Sequence, residues 1–206
     1  MEIAPLIPAF VTLLVIIDPI GLAPMFVALT KGASAAHRRV VALRACVIGA
    51  ILLTVFGLFG EAVLEFVGIS MPAFRIAGGI LLFITALDML FERRTQRRKD
   101  QTPNADDPSV FPLAIPLIAG PGAITTMILL TGQATDPLGV LAIHIVMLSV
   151  IVLVLVFFLA AGMIERAIGE TGINVVTRLL GMLLAALSVQ FVLDGLASFG
   201  LASGLG

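Results

Sequence analysis

The sequence predicts an all-α polytopic membrane protein: six transmembrane helices in two inverted three-helix repeats, with helices one and four broken. Three observations carry this prediction. The 206 residues are 60% hydrophobic and 12% charged, with a mean hydropathy of +1.17, whereas a soluble domain carries roughly 25% charged residues. The apolar residues are gathered into six runs, each near the ~20 residues a bilayer-spanning helix needs. The basic residues fall almost entirely on one side of those runs. This composition excludes a soluble enzyme, a nucleic-acid-binding domain and a disordered chain. A formal net charge of -1 offers nothing to a polyanion, so no nucleic-acid partner is expected.

Taken in order, the runs cover residues 3–30, 41–66, 73–91, 110–131, 138–164 and 175–198. The longest polar stretch, ERRTQRRKDQTPNADDPS at 92–109, separates them three and three. One transmembrane domain over 1–206 follows, with repeat 1 over about 1–91, a linker over 92–109 and repeat 2 over about 110–206. The chain starts Met1-Glu2 rather than with a basic region, so the first run is expected to stay in the mature protein rather than leave as a signal peptide. Cys46, the single cysteine, can make no internal disulfide and reads as a packing residue.

If all six runs cross, one face collects Lys31, Arg38, Arg39 and Arg44, then the Arg93, Arg94, Arg97, Arg98 and Lys99 cluster, then Arg166 and Arg178. The other face keeps only Arg75. That bias places the linker in the cytoplasm and both termini outside. The alternative makes segments one and four re-entrant, which puts Arg166 and Arg178 with Arg75, divides the basic residues 9 to 3 and weakens the bias. Trp and Tyr are absent, so the usual interfacial aromatic belt is missing.

The halves resemble each other. IDPIGLAPMFVALT at 17–30 and IAGPGAITTMILLT at 118–131 share Ile, Gly, Leu and Thr in register, with Gly21 on Gly122. An Arg-x-x-Gly element recurs at Arg75 to Gly78 and Arg178 to Gly181. A duplicated unit of three spans must insert upside down the second time, an arrangement found in secondary transporters.

Segment one carries Asp18, Pro19, Gly21 and Pro24 in its middle. The apolar run at 3–17 spans about 22 Å as a helix, short of a ~30 Å hydrocarbon core, so Asp18 lies inside the membrane. Pro19 removes an N–H and Gly21 permits positive φ, which together free backbone groups. Segment four repeats the design. Pro116 precedes Gly120-Pro121-Gly122, which splits the segment into two half-helices of about 15 Å each. Thr125 and Thr126 follow in the first turns of the second half. A helix N-terminus suits a carboxylate, and carbonyls at a broken C-terminus suit a cation or ammonium. Such a pair of breaks is expected to hold both ends of a zwitterion. Asp18 reads either as the coupling carboxylate for a proton or sodium ion or as a cap of the restarted helix.

The remaining polar groups read as structural. Asp88 and Asp194 sit toward helix ends, Glu61 and Glu65 form a polar edge, and His144 lies early in segment five. Gln190 suggests an interhelical contact. Gly78, Gly79, Gly162 and Gly181 would let helices approach closely, and such faces are compatible with a homo-oligomer.

IDPIGLAPMFVALT, FRIAGGILLFITALDML at 74–90 and PLAIPLIAGPGAITTMILL at 112–130 resemble the MarC family of bacterial inner-membrane proteins, also called the neutral amino acid transporter family. The resemblance runs over nearly the whole chain. It implies transport of glycine, alanine and similar neutral amino acids. A more distant likeness to the lysine-exporter superfamily implies that export is as open as uptake. The region it implies is Asp18, Pro19, Gly21 and Pro24 with Pro116, Gly120, Pro121 and Gly122.

The expected function is therefore secondary transport of small neutral amino acids or similar zwitterions across the bilayer, with no cofactor. A cation or metabolite exporter is the alternative, although it would want clustered acids, His or Cys at the midplane. A membrane-embedded enzyme is disfavoured, because neither a Gly-x-Gly-Asp nor a His-Glu-x-x-His motif occurs.

Overall fold

The computed structural model describes residues 6–91, 107–134 and 136–199, and every described element is helical. Segment one is α1 (Leu6–Ile17) and α2 (Pro19–Leu29). Then come α3 (Ala35–Val67) and α4 (Met71–Leu90). Segment four is an irregular α5 (Ser109–Ile118) followed by α6 (Pro121–Gly132). The last two spans are α7 (Pro137–Ile164) and α8 (Thr171–Ser198), and their helical path is interrupted at Gly169 (φ 69°). The Arg93 to Lys99 cluster, most of the linker and both termini lie outside the described residues.

Local chemistry sets the ends. Ser34 accepts from the His37 N–H to start α3, Ser70 from Ala73 to start α4, and Asp136 from Gly139 to start α7. Gly68 closes α3 in the left-handed conformation (φ 80°), with the Ile69 N–H returned to the Leu64 carbonyl at 2.8 Å.

Side-chain contacts give each segment its direction. Arg44 on α3 holds Asp107 at 2.8 Å, Gly49 faces Ile118, Gly57 faces Met127, and Glu61 lies beside Gly132. Segment four therefore climbs along α3 from Arg44 to Glu61, about 25 Å at 1.5 Å per residue. It never returns to the end it entered, which sets aside the re-entrant alternative. Its two halves meet at 53°. Segment one runs the opposite way. Leu6 and Ala9 share a small cavity with Gln133 and Asp136. At the far end Phe26 stacks on Phe158 (centroids 4.6 Å) under the Arg38 guanidinium. One end of the bundle thus carries Leu6, Val67 and Pro137, and the other carries Arg38.

α4 and α8 form an antiparallel pair with glycine notches. Gly181 sits against Met89 and Ala86, Gly79 against Ser188 and Val192, and Gly195 against Ile76 and Pro72. Gly78 takes the Thr125 methyl from α6. Gly162 differs from expectation. Among the described residues nothing lies within 4 Å of where its Cβ would stand, so it mediates no close approach there. Gln190 also differs, because its amide donates along its own helix to Asp194 at 2.7 Å instead of bridging helices.

The first outcome concerns the glycines. A Cβ on Gly79 would stand 2.7 Å from the Ser188 carbonyl oxygen, so Gly79→Ala should cost about 1–3 kcal/mol and lower Tm in detergent. Gly162→Ala should leave Tm unchanged or raise it, since Ala is the better helix former by about 0.5–1 kcal/mol. The second outcome concerns Asp107. The Ser109 hydroxyl and N–H, and then the Arg44 guanidinium, hold its carboxyl below the usual carboxylate range. A depressed folded value means that this contribution is present above the unfolded value and lost as pH falls through the folded one. The acid limb of a Tm–pH profile should flatten in Asp107→Asn.

Candidate functional site

The first break is one residue long. Asp18 adopts the left-handed conformation (φ 54°, ψ 66°), the one non-glycine residue to do so among those described. Its N–H still bonds the Leu14 carbonyl and its own carbonyl already accepts from Leu22, each at 3.0 Å. A single residue thus ends α1 and begins α2. The carboxylate, 1% exposed, accepts the Gly21 N–H at 3.0 Å. Asp tolerates this backbone region better than most side chains because it hydrogen-bonds locally. Pro19 has no N–H to return to the Val15 carbonyl, and this leaves a polar C-terminal end on α1.

This corrects the expectation for Gly21. Positive φ falls on Asp18, and Gly21 is needed instead for space, because its Cβ would collide with the Asp18 carboxylate. Pro24 sits more than a turn into α2, away from the break.

The second break is built differently. The first half of segment four is not the regular half-helix the sequence suggests. Phe111 and Ile115 are extended, and Phe111-Pro112 and Ile115-Pro116 are cis. The backbone closes wide turns instead, Leu113 N–H to Pro108 at 3.2 Å and Ala119 N–H to Ala114 at 2.9 Å. The Pro116 carbonyl lies 2.5 Å from where a Cβ on Gly120 would stand, so only glycine fits there. α6 then starts at Pro121 with Gly120 as its N-cap and no side-chain cap. The first intrahelical bond is Ile124 N–H to Gly120 at 2.9 Å. The N–H groups of Gly122 and Ala123 belong to the unpaired first turn, and both residues are buried.

The two breaks meet. A Cβ on Gly122 would stand 3.3 Å from the Ile16 side chain of α1 and 2.9 Å from Leu82 of α4, with the Thr85 hydroxyl at 4.0 Å. Thr126, one turn beyond Gly122, is fully buried, and among the described residues its hydroxyl has no partner. A helical side chain leans toward the N-terminus, so this hydroxyl lies over the Gly122 turn. Thr125 is turned aside, its methyl against Gly78. Pro116 and Pro121 present exposed rings. The break thus concentrates unpaired donors at Gly122, Ala123 and Thr126. They stand beside Ile16, at the C-terminal end of α1. Among the described residues no three His, Cys, Asp or Glu side chains form a metal-binding group.

One polar group is more enclosed than the sequence reading placed it. His144 is 8% exposed, enclosed by its neighbours, and its Nε2 has no partner among the described residues. Its spacing from Asp136, two turns into α7, was the available signal.

Apolar helices that cross end to end, and two mid-span breaks with buried polar groups, define a polytopic integral membrane protein. The model of the MarC family, described as an integral membrane protein family, matches residues 3–199, and the chain belongs to that family. A UPF0056 membrane protein from Archaeoglobus fulgidus is 39% identical, with 92% of this chain and 91% of that protein covered. One from Aquifex aeolicus is 37% identical over 92% and 91%. The UPF0056 inner membrane protein YhgN of Escherichia coli K12 is 33% identical over 93% and 95%. No solved structure matches.

Thr126→Val deletes a buried hydroxyl that no described residue satisfies while keeping the shape. Tm should stay level or rise, because such a hydroxyl stands desolvated at a cost of about 1–3 kcal/mol. Asp18→Ala should lower Tm through loss of the cap, worth about 0.5–2 kcal/mol, and Asp18→Asn should lower it less.

Proposed function

We propose that the chain is a secondary transporter of small neutral amino acids or closely similar zwitterions, with its site at the junction of the two breaks. The observation that carries this is the meeting of Gly122 with Ile16 beside the buried, unpartnered Thr126 hydroxyl. The two helix restarts differ. The N-terminus of α2 is already occupied by Asp18, while that of α6 is uncapped. An uncapped N-terminus favours a carboxylate. The substrate carboxylate takes the Gly122 and Ala123 N–H groups and the Thr126 hydroxyl. Its ammonium faces the Asp18 charge and the last carbonyls of α1.

The two halves act as an inverted repeat, and transport is coupled to a proton or sodium ion. Support for the repeat comes from the matching position of the breaks and the opposite directions of the segments that hold them. Each broken segment also packs on the other half, α5 and α6 on α3, and α2 on α7 through Phe26 and Phe158. The Arg38 end gathers Lys31, Arg38, Arg39 and Arg44, so by charge bias it faces the cytoplasm and both termini face outside. The inner membrane is the expected location, as the name of the Escherichia coli relative has it for that protein.

Purified protein in proteoliposomes should take up labelled glycine and alanine under an imposed proton or sodium gradient. Thr126→Val should weaken substrate affinity about tenfold or more, the loss of one hydrogen bond to a charged group. Asp18→Asn should abolish uptake in folded protein. Absence of uptake by folded wild-type protein under either gradient would overturn the assignment.

A further inference from the structure

We propose that the coupling ion is a proton and that its binding site is Nε2 of His144, an inference that rests on the transport reading. Asp18 is the obvious coupling group, but its carboxylate is engaged in capping α2 through the Gly21 N–H. His144 has the complementary property. Its Nδ1 lies 2.8 Å from the Val140 carbonyl. A carbonyl only accepts, so Nδ1 carries the hydrogen and Nε2 of the neutral ring keeps a free lone pair. That lone pair is buried and has no donor among the described residues. An ionisable group inside a membrane segment is costly and marks ion pathways and proton relays.

The surroundings connect this nitrogen to the site. A Cβ on Gly57 of α3 would stand 3.0 Å from Nε2 and 3.0 Å from the Met127 methyl of α6. His144 on α7 therefore wedges into the seam between α3 and α6. Met127 directly follows Thr126, on the helix whose N-terminus receives the substrate carboxylate. The charged groups around the seam are few. Glu61 lies one turn beyond Gly57 on α3, Asp136 caps α7 two turns before His144, and the described face of α6 contributes none. A groove of about 670 Å³ runs between α3 and α7 beside the ring, lined by Thr54, Leu58 and Leu148 with Asp136 at its mouth.

Protonation converts Nε2 from an acceptor without a donor into a donor without an acceptor, now carrying charge. Among the described residues no group lies within hydrogen-bond distance to receive it. The cationic ring is met only when α3 separates from α6 and α7, and this frees α6 to move with its cargo. Proton binding and substrate binding then act on one helix, and each must change the affinity for the other by the same factor.

The chain has two histidines, so His37→Gln leaves a single imidazole to observe. His37 is exposed and outside the site. This protein, labelled with ¹⁵N at the imidazoles and placed in lipid nanodiscs, is titrated with acid with and without alanine. The expected result is a ring protonated only at Nδ1 at high pH, a second protonated nitrogen on acidification, and a midpoint displaced by alanine by at least about half a pH unit, threefold in proton affinity. An alanine-independent midpoint, or an Nε2 that stays bare where uptake responds to pH, overturns the proposal. In proteoliposomes His144→Gln should keep alanine counterflow and lose its acceleration by a proton gradient. Counterflow in wild type with undiminished proton drive in His144→Gln refutes the His144 assignment alone. No counterflow in wild type refutes the transport reading beneath it. If His144→Gln does not fold, the titration of the native ring decides.

Discussion

In hydrocarbon a backbone N–H or C=O that finds no partner costs several kcal/mol, so a chain crossing a bilayer stays helical or compensates for each departure. This protein departs twice in mid-membrane, and the two departures are compensated unequally. At the first, Asp18 closes the account locally. Its N–H serves α1, its carbonyl serves α2, and its side chain holds the Gly21 N–H. At the second, the wide turns of α5 return the Leu113 and Ala119 N–H groups, but α6 starts with no side chain at its head. The unpaired first turn of α6 lies beside Ile16 and the fully buried Thr126 hydroxyl. Polar groups with no partner in this position are what a substrate carboxylate would complete.

Packing holds the two breaks together. The notches at Gly78, Gly79, Gly181 and Gly195 bring α4 close to α6 and α8, and Leu82 of α4 rests on Gly122. Each broken segment leans on a long unbroken helix of the other half, α6 on α3 and α2 on α7. Under the proposed transport reading, a shift between halves would move both breaks at once, as alternating access requires. His144 sits in one of these seams, between α3 and α6, where a change of charge bears directly on that packing.

Spans, their number and the place of both breaks were legible in the sequence, because hydropathy and Pro/Gly punctuation report on the solvent and on backbone hydrogen bonding directly. The mechanics of each break were less so. Gly21 invited the left-handed conformation, yet Asp18 takes it, since an Asp that caps its own restart gains a hydrogen bond that glycine lacks. Pro112 and Pro116 were visible, and a residue before proline is pushed toward extended backbone, so the extended Phe111 and Ile115 follow from local chemistry that a count of helical length does not register. Thr125 and Thr126 looked equivalent, and only packing against Gly78 separates the turned-away Thr125 from the unpartnered Thr126. His144 read as interfacial because spacing from a helix end measures depth along the axis and not enclosure by α3 and α6.

The central claim is that a carboxylate is held by the first turn of α6. A solid-state NMR dipolar recoupling experiment between ¹³C-carboxyl glycine and the ¹⁵N-labelled backbone of Gly122 and Ala123, in membranes saturated with the amino acid, tests it most directly. An N–H···O bond of about 2.9 Å requires strong dephasing, with the labelled carbon within about 4 Å of one of these nitrogens. Strong dephasing that disappears when unlabelled alanine displaces the glycine is the predicted result. Bound glycine that leaves the Gly122 and Ala123 signals unaffected, or no bound glycine at all, would contradict the account.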